Sequence, residues 1–218
     1  LHQVKHKNFQ TLAAGLKMQR FCGLTKTKIK KINTRQKPNG YNMAKIKAYL
    51  GLGGNEGNVL LRLQQALALL AKELAIASLE VSHFYYTAPL EVDSFHWFLN
   101  AVCSFETEMD PIAIFAMTQT IENQLGKVPK PKHASRPIDI DFLFYGNHLF
   151  EEGGLEIPHP RWKERLFVLV PLADLTSEIL LQREGFIERH VLYELIQFLR
   201  LQSSQTIFRA KVKDFYLC

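Results

Sequence analysis

Residues 136–142 read RPIDIDF, an arginine followed by two aspartates two positions apart inside an apolar run. In an extended strand successive side chains alternate between faces, so Asp139 and Asp141 point the same way while Ile138 and Ile140 pack behind them. Two neighbouring carboxylates repel each other. A hard divalent cation with oxygen ligands relieves that repulsion, Mg²⁺ above all where phosphate supplies the other ligands. Arg136 adds a planar donor fork suited to phosphate. A solvated sheet face with both aspartates paired to Lys or Arg is the competing reading of an isolated DxD.

The elements that must hold these groups alternate from Ala44 onward. IKAYLGLG (46–53) reads as a short apolar strand ending in a glycine loop, GLGGNEGN, which brings backbone close to a ligand. Asn58 is an N-cap candidate for a helix to about Leu74, with Leu60, Leu63, Leu67, Leu70 and Leu74 at three- and four-residue spacing. Residues 76–87 and 99–108 alternate as strands do, and CSFETEM (103–109) suggests an outer strand. Asp110 and Pro111 open a second helix that Gly126 ends. A Lys- and Pro-rich loop, KVPKPKHAS, leads into the strand with the two aspartates. The order β, α, β, β, α, β predicts an α+β, ferredoxin-like βαββαβ sandwich, an antiparallel sheet with helices packed on one face.

The chain of 218 residues holds 27 Lys and Arg against 21 Asp and Glu. Residues 1–42 contain ten of the basic residues and no Asp or Glu, so the body is acidic and its charge argues against nucleic acid as a partner. That leading segment lacks apolar periodicity and reads as disordered. Three explanations stay open: an over-extended reading frame ahead of Met43, an organelle transit segment, or a basic interaction arm. Cys22, Cys103 and Cys218 are far apart and lack CxxC spacing, which indicates neither zinc nor a disulfide framework and fits a reducing, cytoplasmic setting. If residues 1–42 are a transit segment, an organelle replaces the cytoplasm. The leucine-rich run near Leu67 includes Arg62, Gln64 and Gln65, an amphipathic pattern rather than a membrane span.

Six patches in order resemble the 6-hydroxymethyl-7,8-dihydropterin pyrophosphokinase family of folate biosynthesis. They are GLGGNEGNV (51–59), FYYTAPLEV (84–92), FLNAV (98–102), TQTIENQLGK (118–127), RPIDIDFLFYG (136–146) and IPHPRWKERLFVLVPLADL (157–175). The resemblance covers about residues 46–180 and implies transfer of diphosphate from ATP to the hydroxymethyl group of 6-hydroxymethyl-7,8-dihydropterin, releasing AMP. It implies two Mg²⁺ ions bound with ATP on Asp139 and Asp141. By the same resemblance Arg136, Asp139, Asp141 and Lys127 are catalytic, while Gln119, Glu122, Lys130, Arg136, His159 and Arg165 contact ATP. Thr87, Leu90, Phe98, Asn100 and Phe167 form the pterin pocket, with Phe98 and Phe167 sandwiching the ring. Trp97 and Trp162 are left as packing or lid residues.

The sequence departs from the family pattern at three places. His133, Ala134 and Ser135 precede Arg136 where the family commonly has Trp, Gly and Pro, and Gly154 and Glu156 stand where some members have arginine and threonine. The loop after Gly126 offers Lys127, Lys130 and Lys132 where arginines are expected, and lysine lacks the bidentate fork. Residues 43–182 are expected to form the pyrophosphokinase domain. Residues 183–218 form a helical tail around HVLYELIQFLRL, read as a docking helix or the stub of a junction, so the chain is a monomer or is coupled to another folate enzyme. Two other classes remain open here: a different Mg²⁺-dependent nucleotide enzyme, and an inactive or nucleic-acid-binding relative.

Overall fold

The computed structural model describes residues 45–74, 79–90, 96–129 and 134–212. The basic segment 1–42, with the expectation of disorder placed on it, lies outside the described residues, as do Lys130, Lys132 and His133. Strand β1 (Ile46–Gly54) feeds helix α1 (Val59–Glu73), whose N-cap Asn58 accepts from the Leu61 N–H as its residue type predicts. Strands β2 (Glu80–Val81) and β3 (Tyr85–Thr87) follow, then β4 (Phe98–Thr107), helix α2 (Pro111–Gln124), β5 (Asp139–Tyr145) and a separate short hairpin of β6 (Phe150–Glu152) and β7 (Leu155–Ile157). Asp110 caps α2 through the Ile112 N–H, with Pro111 at the first helical position.

All the pairings in the main sheet are antiparallel, and the strands lie in the order β3-β4-β1-β5, the arrangement expected of a split βαβ pair. Three local expectations change. Of the strand anticipated over 76–87, residues 76–78 lie outside the described residues and the rest is interrupted, because Ser82 Oγ accepts the Val102 N–H at 2.9 Å and donates to the His83 carbonyl at 2.7 Å, replacing a backbone ladder step with a side chain. Strand β4 is interior, flanked by β1 on one side and by β2 and β3 on the other, and Cys103 and Ser104 are fully buried. Gly51, Gly53 and Gly54 lie within β1 itself, so the glycine run is strand before it is loop.

One face of the sheet is closed by α1 and α2. Leu63, Leu67 and Leu70 of α1 and Ile114 and Ile121 of α2 meet Leu50, Leu52, Cys103, Phe105, Ile140 and Phe142. Each such leucine contributes about 1.5–3 kcal/mol by leaving water. The sequence predicts helices on one face only, yet the second face carries its own core. Helix α3 (Leu166–Leu172), the hairpin β8 (Glu178–Arg183) and β9 (Phe186–Val191), and helix α4 (Leu192–Gln202) pack Leu166, Leu169, Ile179, Leu181, Leu192 and Ile196 against Tyr49, Val102, Leu143 and Phe144. Trp162 belongs to this core, edge-on to Phe144 at 4.9 Å, which settles it as packing; Trp97 stays half exposed beside Phe208.

The segment beyond residue 183, expected to be a helical tail, is therefore part hairpin, part helix and part strand. Its last strand, β10 (Ile207–Arg209), pairs with β3 and extends the main sheet by one position. At the other edge β5 is locally irregular: Phe142 pairs with Leu50 and Phe144 with Tyr49, so Leu143 is extra and both Leu143 and Phe144 turn to the second core. Before this bulge the alternation is regular, and Asp139 and Asp141 share the second face while Ile138 and Ile140 pack under the helices.

Gly54 shows how closely the chain is drawn together where the site begins. A Cβ there would lie 2.7 Å from the Pro137 carbonyl oxygen, a backbone atom with no freedom to move aside. Gly54→Ala should therefore lower stability by about 1–3 kcal/mol, read as a fall in the urea midpoint with the slope unchanged. An unshifted midpoint would contradict this close approach.

Candidate active site

Gly51 and Gly53 lie on the same face of β1 as Asp139 and Asp141 on β5 and Asn100 on β4. The cross-strand register puts Gly53 between Asn100 and Asp139, and Gly51 between Val102 and Asp141. The central strand thus has no side chains where its neighbours carry chemistry. A Cβ on Gly53 would stand 2.5 Å from Asn100 Oδ1. Over this bare floor lies a cavity of about 320 Å³ lined by Thr87, Leu90, Phe98, Asn100, Arg136, Asp139, Asp141, Arg161, Arg165 and Phe167, among others. Nine of the residues proposed from sequence meet there. Gln119, Glu122 and Lys127 line a second cavity of about 330 Å³ together with Arg136, which borders both spaces. His159 sits beside Asp141, and Lys130 lies outside the described residues.

Each wall is set by a local device. Asn100 is 5 % exposed and donates through Nδ2 to Thr87 Oγ1 at 2.9 Å, which fixes which end of the amide faces β1. Arg136 is held by Asn55, a buried residue that the sequence reading passed over. Asn55 Oδ1 accepts the Arg136 N–H at 2.8 Å, its own N–H donates to the Arg136 carbonyl at 2.9 Å, and its Nδ2 donates to Ser135 Oγ at 3.2 Å. Its position directly after the glycine run, where β1 must turn away, was the available signal. Arg161, also missed, lines the cavity and pairs with Glu164 at 3.0 Å.

Lys127 is positioned by the end of α2. Gly126 takes φ +92°, its N–H bonds to the Asn123 carbonyl, and the Lys127 N–H reaches the Glu122 carbonyl at 2.9 Å. These two bonds form a Schellman motif, which requires the positive φ that glycine adopts freely. From that fixed base Lys127 Nζ donates to both Glu122 Oε1 and Asp139 Oδ1 at 2.6 Å. Glu122, only 4 % exposed, also accepts the Ile140 N–H at 2.6 Å, a group on the outer edge of β5 that no strand among the described residues pairs. Burial pushes the Glu122 carboxyl up, with the Lys127 bond opposing. Burial would lower the Lys127 ammonium, but its bonds to Asp139 and Glu122 outweigh that and leave its pKa raised.

The carboxylate pair is balanced by cations. Asp139 meets Arg136 Nη1 at 2.9 Å as well as Lys127, and Asp141 has Arg165 Nη1 at 3.5 Å and His159 Nε2 at 4.0 Å. Burial raises the pKa of Asp141 above the usual carboxylate range, the charge of Asp139 adds to the effect, and His159 and Arg165 counter it. Burial likewise lowers the pKa of His159, against the pull of Asp141. The Arg161 N–H donates to His159 Nδ1 at 3.2 Å, so the neutral ring carries its proton on Nε2, the nitrogen facing Asp141. The 3.3 Å approach of Arg165 Nη1 to that nitrogen is then a contact of two donors. The Arg165 guanidinium lies 5.4 Å over the Phe167 ring.

Among the described residues no group of three or more His, Cys, Asp or Glu side chains converges as a metal cage. Two co-facial carboxylates, 30 % and 34 % exposed, suit a hard cation that takes its remaining ligands from phosphate and water. The donor set fits Mg²⁺ in that partial sense.

Comparison with known proteins identifies a family. A match to the family described as 7,8-dihydro-6-hydroxymethylpterin-pyrophosphokinase (HPPK) spans residues 49–177. The 2-amino-4-hydroxy-6-hydroxymethyldihydropteridine pyrophosphokinase of Bacillus subtilis is 37% identical over 132 residues, 61% of this chain and 79% of that protein. The "Folate synthesis bifunctional protein, mitochondrial" of Arabidopsis thaliana is 38% identical over 126 residues, 58% of this chain but 23% of the relative. A crystal structure of Plasmodium falciparum HPPK-DHPS shares the fold with a TM-score of 0.55 at 16% identity, covering 71% of this chain and 45% of that one. The ferredoxin-like sheet, the paired aspartates across β1 from Asn100 and the extent of the match lead to one conclusion: the chain belongs to the 7,8-dihydro-6-hydroxymethylpterin-pyrophosphokinase family.

Proposed function

We propose that this pyrophosphokinase of folate biosynthesis transfers the β,γ-diphosphate of ATP to the hydroxymethyl oxygen of 6-hydroxymethyl-7,8-dihydropterin, with two Mg²⁺ ions held by Asp139 and Asp141. The observation that carries this reading is the co-facial carboxylate pair beside a glycine floor, with the Asn100 amide on one side and cationic groups on the other. The hydroxymethyl oxygen attacks the β-phosphorus and its proton passes to solvent, the bond from that phosphorus to the oxygen bridging to the α-phosphate breaks, and AMP leaves. Bound Mg²⁺ would neutralise phosphate charge and favour ionisation of the attacking hydroxyl, so neither aspartate need serve as a dedicated base.

The chain's own residues align the reactants. Asn100, oriented by Thr87, reads the donor and acceptor pattern of the pterin, and Phe98, Phe167 and Leu90 enclose its ring. Arg136 stands where the two cavities meet, the place of the diphosphate in transit, and Arg165 and His159 face it from beside Asp141. Gln119, Glu122 and Lys127 border the nucleotide side, with Lys130 assigned there by sequence alone. With nucleotide bound, Lys127 would exchange Asp139 for phosphate while its backbone stays anchored on α2.

Residues 43–182 carry the catalytic machinery in this reading, and the chain is coupled to another folate enzyme or acts as a monomer. The bifunctional Arabidopsis relative supports the first arrangement, and its mitochondrial name supports the transit-segment reading of residues 1–42 over a cytoplasmic setting. No helix among the described residues is long and apolar enough to cross a membrane.

Incubation with ATP, Mg²⁺ and the reduced hydroxymethyl pterin should give AMP and a pterin diphosphate in equal amounts; ADP as the nucleotide product would reject the reading. Asp139→Asn and Asp141→Asn should each lower turnover roughly 100-fold or more. Because burial and the charge of Asp139 disfavour the Asp141 carboxylate, its asparagine variant should melt no lower than the parent protein. Near-normal turnover in both variants would remove these residues from the mechanism.

A further inference from the structure

The C-terminal segment lies beyond the residues matched by the family, yet it touches both walls of the cavity. Arg165 precedes α3 with extended backbone, φ −123° and ψ 106°, and its side chain does not cap the helix. Gln205 acts in its place. Its Oε1 accepts the Leu166 N–H at 2.9 Å, and its Nε2 donates to the Glu164 carbonyl at 2.8 Å. One amide therefore grips the peptide units on either side of Arg165. The next residue, Thr206, accepts the Ala88 N–H at 3.1 Å, and Ile207 pairs with Thr87, the residue that orients Asn100.

We propose that Gln205 is a positioning residue for Arg165. By fixing the backbone at 164–166 it holds the guanidinium over Phe167 and within 3.5 Å of Asp141, where the developing phosphate charge is to be met. The role rests on the phosphoryl-transfer reading for its consequence but not for its geometry. An arginine side chain has many rotamers, and an interaction realised in the transition state is weakened when its base can shift. Loss of Gln205 should then lower kcat more than it raises KM for the pterin, whose contacts lie on other elements.

The test uses the full chain and Gln205→Met, which keeps the length of the side chain and removes both hydrogen bonds, with Gln205→Glu restoring the acceptor for Leu166. Gln205→Met should lower kcat roughly 10-fold, and in an Arg165→Ala background the same change should have little further effect, since residues acting as one unit are not additive. Gln205→Glu should recover part of the loss. In parallel, the Arg165 Nε–H resonance, assigned by its disappearance in Arg165→Ala, should broaden or shift in Gln205→Met while the thermal midpoint changes little. An unchanged Arg165 resonance, or a kcat loss that adds in full to that of Arg165→Ala, would overturn the inference. Failure of the parent protein to form AMP would instead strike the functional reading and leave the resonance test to decide the role of Gln205.

Discussion

Two carboxylates on one face of β5 repel each other, and much of the surrounding architecture is a response to that repulsion. Lys127, Arg136 and the pair Arg165 and His159 arrive from three different stretches of chain to offset it. Partial exposure limits how strongly each pair binds, because solvent screens such contacts. The pair is therefore held ready rather than sealed. Its open side faces a strand whose glycines leave room for a ligand, and the cations that balance the aspartates in the free protein are of the kind that phosphate also attracts.

The fold supplies this arrangement through two cores rather than one. The layer formed by α1 and α2 fixes the sheet and, through Glu122, ties the outer edge of β5 to α2. The opposite layer fixes the groups that look across at the aspartates, since Arg165 and Phe167 belong to the start of α3 and α3 is packed by α4. The bulge at Leu143 joins the two: before it, alternation presents Asp139 and Asp141 to the cavity, and after it two successive residues feed the second core.

Much of this was legible in the sequence because it depends on local rules. The period-two pattern around Asp139 and Asp141, the Asn58 and Asp110 caps and the glycine end of α2 follow from neighbours within a few residues, and the structure agrees at each. The resemblance to a known family placed the pocket residues, nine of which line a common cavity. What was not legible depends on distant partners. Ser82 reads as an ordinary strand residue until Val102 is beside it. CSFETEM looks like an outer strand because its charges suggest solvent, yet β1 and β2 flank it. Asn55 and Gln205 carry no motif of their own; each takes its meaning from a peptide unit far away in sequence. The second core escaped notice because the short apolar runs that build it lack a long period.

Anomalous diffraction from crystals grown with Mn²⁺, a non-hydrolysable ATP analogue and the pterin tests the central claim most directly. The account predicts metal peaks bound by oxygens of both Asp139 and Asp141, at about the 2.1 Å that Mg²⁺ would take, with Lys127 drawn off Asp139 toward phosphate. Metal bound elsewhere, or an Asp139 still paired with Lys127 beneath a bound nucleotide, would contradict it.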